Sequence, residues 1–128
     1  MLSYEIRDSL VEFTLAGRYG AADLGMLFEA ARGDPRLPTP AFALIDARAV
    51  EWLPTDTEVR EQLGLFLLML GRHVSPALAV ISTARLNAAL RTGQIDGNRW
   101  GLRVGIFKDT VSARSWLNGY ASERRSAV

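Results

Sequence analysis

Few side chains in this sequence are equipped for chemistry, and they gather in two stretches. Asp46-Ala47-Arg48 is followed closely by Trp52, Thr55 and Thr57, and Arg99-Trp100 sits in a glycine-bounded segment, Gly93 to Gly101. Asp46 closes an apolar run at the strand end where open α/β sheets present ligands, which makes it the leading polar candidate. A single carboxylate is not a mechanism, and its commonest role is to bond the N–H groups of its own loop. An enzyme resting on Asp46 and Arg48 requires a deep polar pocket that holds both. Trp52, Trp100, Arg99 and Asp46 are candidates for a weak binding pocket, with Trp100 equally suited to anchor a packed loop.

Thr55-Asp56-Thr57-Glu58 has the spacing of a capping box, in which the Thr55 hydroxyl and the Glu58 carboxylate each satisfy a free N–H of a starting helix. That role needs no further function. The alternative is phosphorylation of Thr55 or Thr57, since a phosphate there meets the positive end of a helix and changes a docking surface by nearly two charges. Arg48 lies near enough in sequence to pair with it. His73 is the one histidine, so it can fill a single acid–base role, and its place after a helix suits a C-terminal cap.

Several reaction classes lack their residues. There is no cysteine, which removes disulfides, thiolate catalysis and sulfur-held zinc. Gly17-Arg18-Tyr19-Gly20 is neither a dinucleotide nor a phosphate-loop signature, and no Gly-x-Ser-x-Gly or His-Glu-x-x-His occurs. No catalytic residue, cofactor or metal is therefore expected.

The elements that position these residues follow from periodicity. A strand over Tyr4 to Arg7, a turn at Asp8-Ser9 and a strand with Val11, Phe13 and Leu15 alternating predict a half-buried hairpin. Leu24, Leu27, Phe28 and Ala31 recur at helical spacing until Gly33-Asp34-Pro35. After the stiff connector Arg36 to Pro40, Ala41 to Asp46 reads as a strand covered on both faces, with Ala47 to Pro54 as a loop. A helix starts at the capping box, and Ala77 to Ile81 is the next buried strand. Ser82 or Thr83 is expected to cap a helix that turns Leu86, Ala89 and Leu90 inward, and the glycines mark 93–101 as a loop. A strand over Leu102 to Lys108 leads into a helix capped by Asp109 or Thr110, with Ala113, Trp116, Leu117 and Tyr120 on one face. Strand-helix-strand repeats demand right-handed crossovers, so the fold class is α/β: a mixed, mostly parallel sheet with an N-terminal antiparallel hairpin and four helices.

The helix from Val59 carries Leu63, Phe66 and Leu70 on one stripe, yet Leu65, Leu67, Leu68 and Met69 leave its second half little polar surface. Leu65, Leu67, Leu68 and Met69 are therefore the candidate interface or ligand shelf, serving as a dimer seam or a support for an acyl chain. The alternative is a helix buried on two sides. The run from Leu63 to Gly71 is about half the length of a membrane span, and the N-terminus has acidic residues where an export signal needs basic ones, so a cytoplasmic location is expected.

The 128 residues are about the size of one domain, 48% apolar and 23% charged. Residues 1–121 are expected to form it, and 122–128 a polar tail. Formal charge is +1, but residues 1–64 hold six arginines against eleven acids, and the remainder nine basic residues against three acids. Halves of an α/β chain usually interleave, which predicts a mixed surface, and no arginine cluster interleaved with aromatics points to nucleic acid.

The whole chain resembles the STAS-like family, the anti-sigma-factor-antagonist type of domain, in its uncharacterised single-domain bacterial members. The resemblance is carried by the opening strand pair, Ala43-Leu44-Ile45-Asp46-Ala47-Arg48, Ala79-Val80-Ile81 and above all the run from Val104 to Leu117, where a strand ending in Phe107 and Asp109 enters a helix with Ala113 and Trp116-Leu117. The resemblance implies a non-catalytic regulatory or scaffolding module that contacts another protein or itself as a homodimer. Sporulation-type members are phosphorylated on a serine before the second helix. Here Ala47 to Thr55 lacks their Asp-Ser-Ser-Gly-Leu type sequence, so only Thr55 and Thr57 stand near that position. Related domains hold amphipathic or lipid-like ligands, which gives the alternative of a binding protein for a small amphiphile.

Overall fold

The computed structural model describes residues 1 to 126, with side chains to residue 121. The chain runs β1 (Leu2–Arg7), β2 (Leu10–Gly17), α1 (Ala21–Arg32), β3 (Ala41–Val50), α2 (Asp56–Leu70), β4 (Val74–Ile81), α3 (Asn87–Arg99), β5 (Arg103–Phe107) and α4 (Thr110–Ser126). The five strands form one sheet in the order β1-β2-β3-β4-β5, with β1 antiparallel to β2 and every later pair parallel. The fold class expected from periodicity is thus the one observed.

Strand order decides the layers. Each step from β2 to β5 moves in the same direction across the sheet, so right-handed crossovers put α1, α2 and α3 on a single face. Val11, Phe13, Leu15, Leu78 and Val80 meet Leu24, Phe28, Leu63, Phe66 and Leu70 there. The other face has only α4, where Ala113 and Leu117 cover Leu44, Ala77, Ala79 and Ile81. The outward residues of β1 and β2 are left to ion pairs: Arg7 with Glu5 at 2.8 Å, and Arg114 of α4 with Glu12 at 2.8 Å. β1, β2 and β3 come from the acidic half of the chain and β4 and β5 from the basic one, but α4 of the basic half brings Arg114 onto Glu12 of β2, so the two halves meet across the sheet.

Several boundaries differ from the periodicity reading. β3 continues through Ala47 to Val50 instead of ending in a loop at Asp46, because one extra residue is accommodated between the pairs Thr14↔Asp46 and Ala16↔Ala49. The Ser82 N–H bonds Phe107 O at 2.8 Å, so the chain is still part of the ladder where a helix cap was expected, and α3 starts only at Asn87 with no side-chain cap. The 93–101 segment is helical to Arg99, since Gly93 and Gly97 let α3 approach its neighbours closely: a Cβ on Gly97 would lie 2.9 Å from Leu102 O and Val104 Cγ2. The α4 helix reaches Ser126, into the stretch expected as a tail. Residues 127 and 128 lie outside the described residues. Among the described residues no helix is long and apolar enough to cross a membrane.

Candidate functional site

Asp46 and Arg48 stand two residues apart on β3, on the sheet face that α4 covers only in part. The Asp46 carboxylate accepts from Arg48 N at 3.1 Å, Nε at 3.1 Å and Nη2 at 2.8 Å. The Arg48 guanidinium hydrogen-bonded to it holds the carboxyl below the usual carboxylate range. Both groups are spent on each other, and neither borders the cavity described below. Of three pockets among the described residues, none is lined by Asp46 or Arg48.

Thr55 is the N-cap of α2. Its Oγ1 accepts from Glu58 N at 3.2 Å, and its own N–H donates to Glu58 Oε1 at 3.0 Å, which completes the capping box. Thr57 is exposed on the first turn of α2. Asp109 caps α4 through Oδ1, which accepts from Ser112 N at 2.8 Å. After α2 the backbone of His73, rather than its imidazole, closes the turn, with its N–H on Leu70 O at 2.8 Å. Arg99 and Trp100 end α3, and Trp100 is 49% exposed. Because α3 runs back against the strand direction, that end lies at the opposite edge of the sheet from Trp52 and Asp46. The tryptophan pocket considered from sequence is therefore divided between two edges.

The ridge on α2 is also divided. Val59, Leu63, Phe66 and Leu70 point into the core, while Leu65, Leu67 and Met69 are half-buried against it. Leu65 packs against α1 beside Gly25, where an added Cβ would stand in ordinary van der Waals contact, 3.7 Å from Leu65 Cδ2. Of the four ridge residues only Leu68 is exposed, at 78%.

A cavity of about 100 Å³ lies between the sheet and the three helices. Its walls include Leu15 of β2, Phe28 of α1, Ile45 of β3, Phe66 of α2, Val80 of β4 and Leu90 of α3. It extends to Val50, the last residue of β3, and to Pro54 past it, at the strand ends where open α/β sheets receive ligands. Two polar side chains, Tyr19 and Gln62, border it, and Tyr19 Oη donates to Gln62 Oε1 at 2.8 Å. Burial pushes the Tyr19 phenol up to about 12. Trp52 meets the Tyr19 ring edge-on with centroids 5.5 Å apart. Its indole Nε1 is buried and has no hydrogen-bond partner among the described residues.

Of the site residues singled out from sequence none lines the cavity, and Trp52 is linked to it only through its edge-on contact with Tyr19. Tyr19 and Gln62 were missed. The available signal for Tyr19 was its position between Gly17 and Gly20, in the first turn from a strand to a crossover helix. Gln62 carried none, because one polar residue on an apolar helix stripe ordinarily reads as surface.

No protein-family model and no curated protein sequence matches this chain. Among solved structures it is similar to an uncharacterised protein of the DUF3478 family with a SpoIIAA-like fold from Shewanella loihica PV-4. That similarity has 22% identity and a TM-score of 0.61, and spans 91% of this chain and 92% of the other. At that identity the likeness concerns the backbone, and the chain has the SpoIIAA-like, STAS-like fold.

Proposed function

We propose that this chain is a non-catalytic binding module whose cavity takes a small amphiphilic molecule. The carrying observation is the apolar cavity towards the C-terminal ends of the parallel strands, flanked by three helices and edged by a single polar pair. At about 100 Å³ it has roughly two-thirds of the volume of an engineered cavity that admits benzene, so a short chain segment fits while the rest of the ligand reaches the rim. The known ligand-holding habit of STAS-related domains favours the same reading. Asp46 and Arg48, the residues an enzyme would need, neutralise each other on the far face of the sheet. Native mass spectrometry of gently purified protein should show a bound small molecule released on denaturation. A clean apo mass, together with no thermal stabilisation by any short amphiphile, would sink the reading.

A second reading is regulatory contact with another protein or with a second copy. Leu68, 78% exposed on α2, and Met26, 70% exposed on α1, favour it. Light scattering should then give a dimer that Leu68→Asp dissociates while the circular dichroism stays unchanged. A monomer at all concentrations would remove the homodimer form of this reading.

A further inference from the structure

α2 is the middle helix of its layer, packed against α1 on one side and α3 on the other, so its outward stripe faces away from the rest of the chain. An added Cβ on Gly64 would meet nothing within 4 Å, and Leu68 is 78% exposed. Glu61, Leu65, Leu68 and Arg72 follow one another along this stripe, with Leu65 half-buried and the other three exposed. Eleven residues are about three helical turns, which puts Glu61 and Arg72 on one line about 16 Å apart with the two leucines between them. Gly71 keeps helical backbone angles and its N–H donates to Leu67 O at 2.9 Å, so the line continues to Arg72. Leu68 and Arg72 border the same groove. Neither Glu61 nor Arg72 has an ion-pair partner among the described residues.

The order along the stripe is acid, apolar, apolar, base, at spacings of four, three and four. A half-turn about a point between Leu65 and Leu68 returns the same spacing with the charges exchanged. Two copies laid antiparallel across that axis therefore set Glu61 of each against Arg72 of the other, and Leu65 against Leu68 twice in the middle. A parallel pairing would bring Glu61 to Glu61 and Arg72 to Arg72, so charge selects the antiparallel one. Exposed ion pairs add little affinity, and burial of the leucines supplies most of it, which makes the dimer weak and concentration-dependent.

We infer that α2 is the contact surface for a second copy of this chain, in a symmetric antiparallel dimer closed by two Glu61–Arg72 pairs around Leu65 and Leu68. This rests on the self-association reading. It fixes the partner, the helix and the direction in which the helices meet.

The test is sedimentation equilibrium of the full chain from micromolar to millimolar concentration, at about 50 mM salt so that surface charges are little screened. The parent should dimerise as concentration rises. Glu61→Arg and Arg72→Glu should each weaken that dimer at least about ten-fold, since each turns both end pairs into repulsions. Mixed in equal amounts, the two variants should dimerise about as tightly as the parent, because one copy then carries arginine at both positions and the other glutamate. The chain carrying both substitutions should recover the homodimer for the same reason. Single reversals that leave the dimer intact, or a mixture that stays monomeric, overturn the inference while self-association through another face survives. A parent chain monomeric at millimolar concentration overturns both the inference and the self-association reading, and leaves the cavity reading standing. Should a reversal misfold, as circular dichroism would show, salt decides on the unmodified chain. Raising it to about 500 mM should weaken the dimer about three-fold or more, and an unchanged or tighter dimer overturns the two charge pairs.

Discussion

Arg60 of α2 donates through Nε to the carboxylate of Asp96 on α3 at 2.9 Å, and the two ends differ in solvent access: the Asp96 side chain is 8% exposed and that of Arg60 53%. Thr92 Oγ1 donates to Asp56 Oδ1 at 3.1 Å between the same helices. A carboxylate so covered depends on its partner far more than the guanidinium does. Arg60→Ala is expected to lose about 1–3 kcal/mol in denaturant unfolding, more than an exposed ion pair would cost. A double-mutant cycle with Asp96→Asn should show coupling of at least about 0.5 kcal/mol, and additivity would mean that water, not Arg60, satisfies Asp96.

Gly97 and Gly64 are both helical, yet replacing them by alanine should have opposite effects. On α3, a Cβ at Gly97 meets Leu102 O and Val104 Cγ2 at 2.9 Å, so Gly97→Ala must push α3 off β5. A loss of about 1–3 kcal/mol is expected. On α2, Gly64 has nothing within 4 Å of the added atom, and Gly64→Ala should stabilise by about 0.5–1 kcal/mol through helix propensity. Thermal unfolding of the two variants checks the pair, and a Gly97→Ala chain as stable as the parent would refute the close approach.

The same glycines show where sequence reading stops. Val11, Phe13 and Leu15 announced their inward face by alternation alone, and the order of elements followed because each apolar period was long enough to be unambiguous. At Gly93 and Gly97, local propensity spoke for a loop and tertiary contact for a helix, and contact won. Asp46, Ala47 and Arg48 alternate out, in and out, which is strand behaviour, but the bulge that lets β3 continue past them depends on the β2 register. The cavity was hidden for a related reason: its walls come from β2, β3, β4, β5 and three helices, and no spacing along one chain segment encodes a space between seven.

Leu70 and Leu68 test how α2 divides its apolar surface. Leu70 is fully buried and Leu68 is 78% exposed, two residues apart on one helix. Leu70→Ala should cost about 2–5 kcal/mol through lost burial and the cavity left behind. Leu68→Ala should stay within about 0.5 kcal/mol of the parent. Equal losses in dilute solution would mean that Leu68 is covered, and would turn attention back to self-association.

Two carboxylates make the fold sensitive to acid. Arg36 Nη2 reaches Asp34 Oδ2 at 2.7 Å and Tyr4 Oη donates to the same oxygen at 2.9 Å, which holds Asp34 far below the usual carboxylate range, the guanidinium contributing most. Asp46 is lowered by Arg48 in the same way. Their folded-state values lie below the unfolded one of about 3.9, so their stabilisation is complete above about pH 5. It is lost as pH falls through the folded values. Urea midpoints should therefore drop on acidification below about pH 4, and Asp34→Asn should flatten that drop. A variant with the parent's acid profile would show that Asp34 is not held by Arg36 in solution.

Tyr19 supplies the alkaline counterpart and reports on the cavity edge. Burial raises its phenol to about 12, against about 10 in an unfolded chain, so the neutral form is favoured by folding. The resulting stabilisation is present below about pH 10 and disappears as pH rises through about 12, where the folded chain must ionise a half-buried phenol. Ultraviolet titration of the folded protein should show a tyrosine ionising well above the ordinary range. Tyr4 is also raised, chiefly by its hydrogen bond to Asp34, so assignment needs the Tyr19→Phe variant, which should lose the step near 12. That variant leaves Gln62 Oε1 without the donor it has at 2.8 Å, at a cost of about 1 kcal/mol. A Tyr19 that ionises near 10 would mean that its hydroxyl is freely hydrated and that the Tyr19–Gln62 edge of the cavity is open.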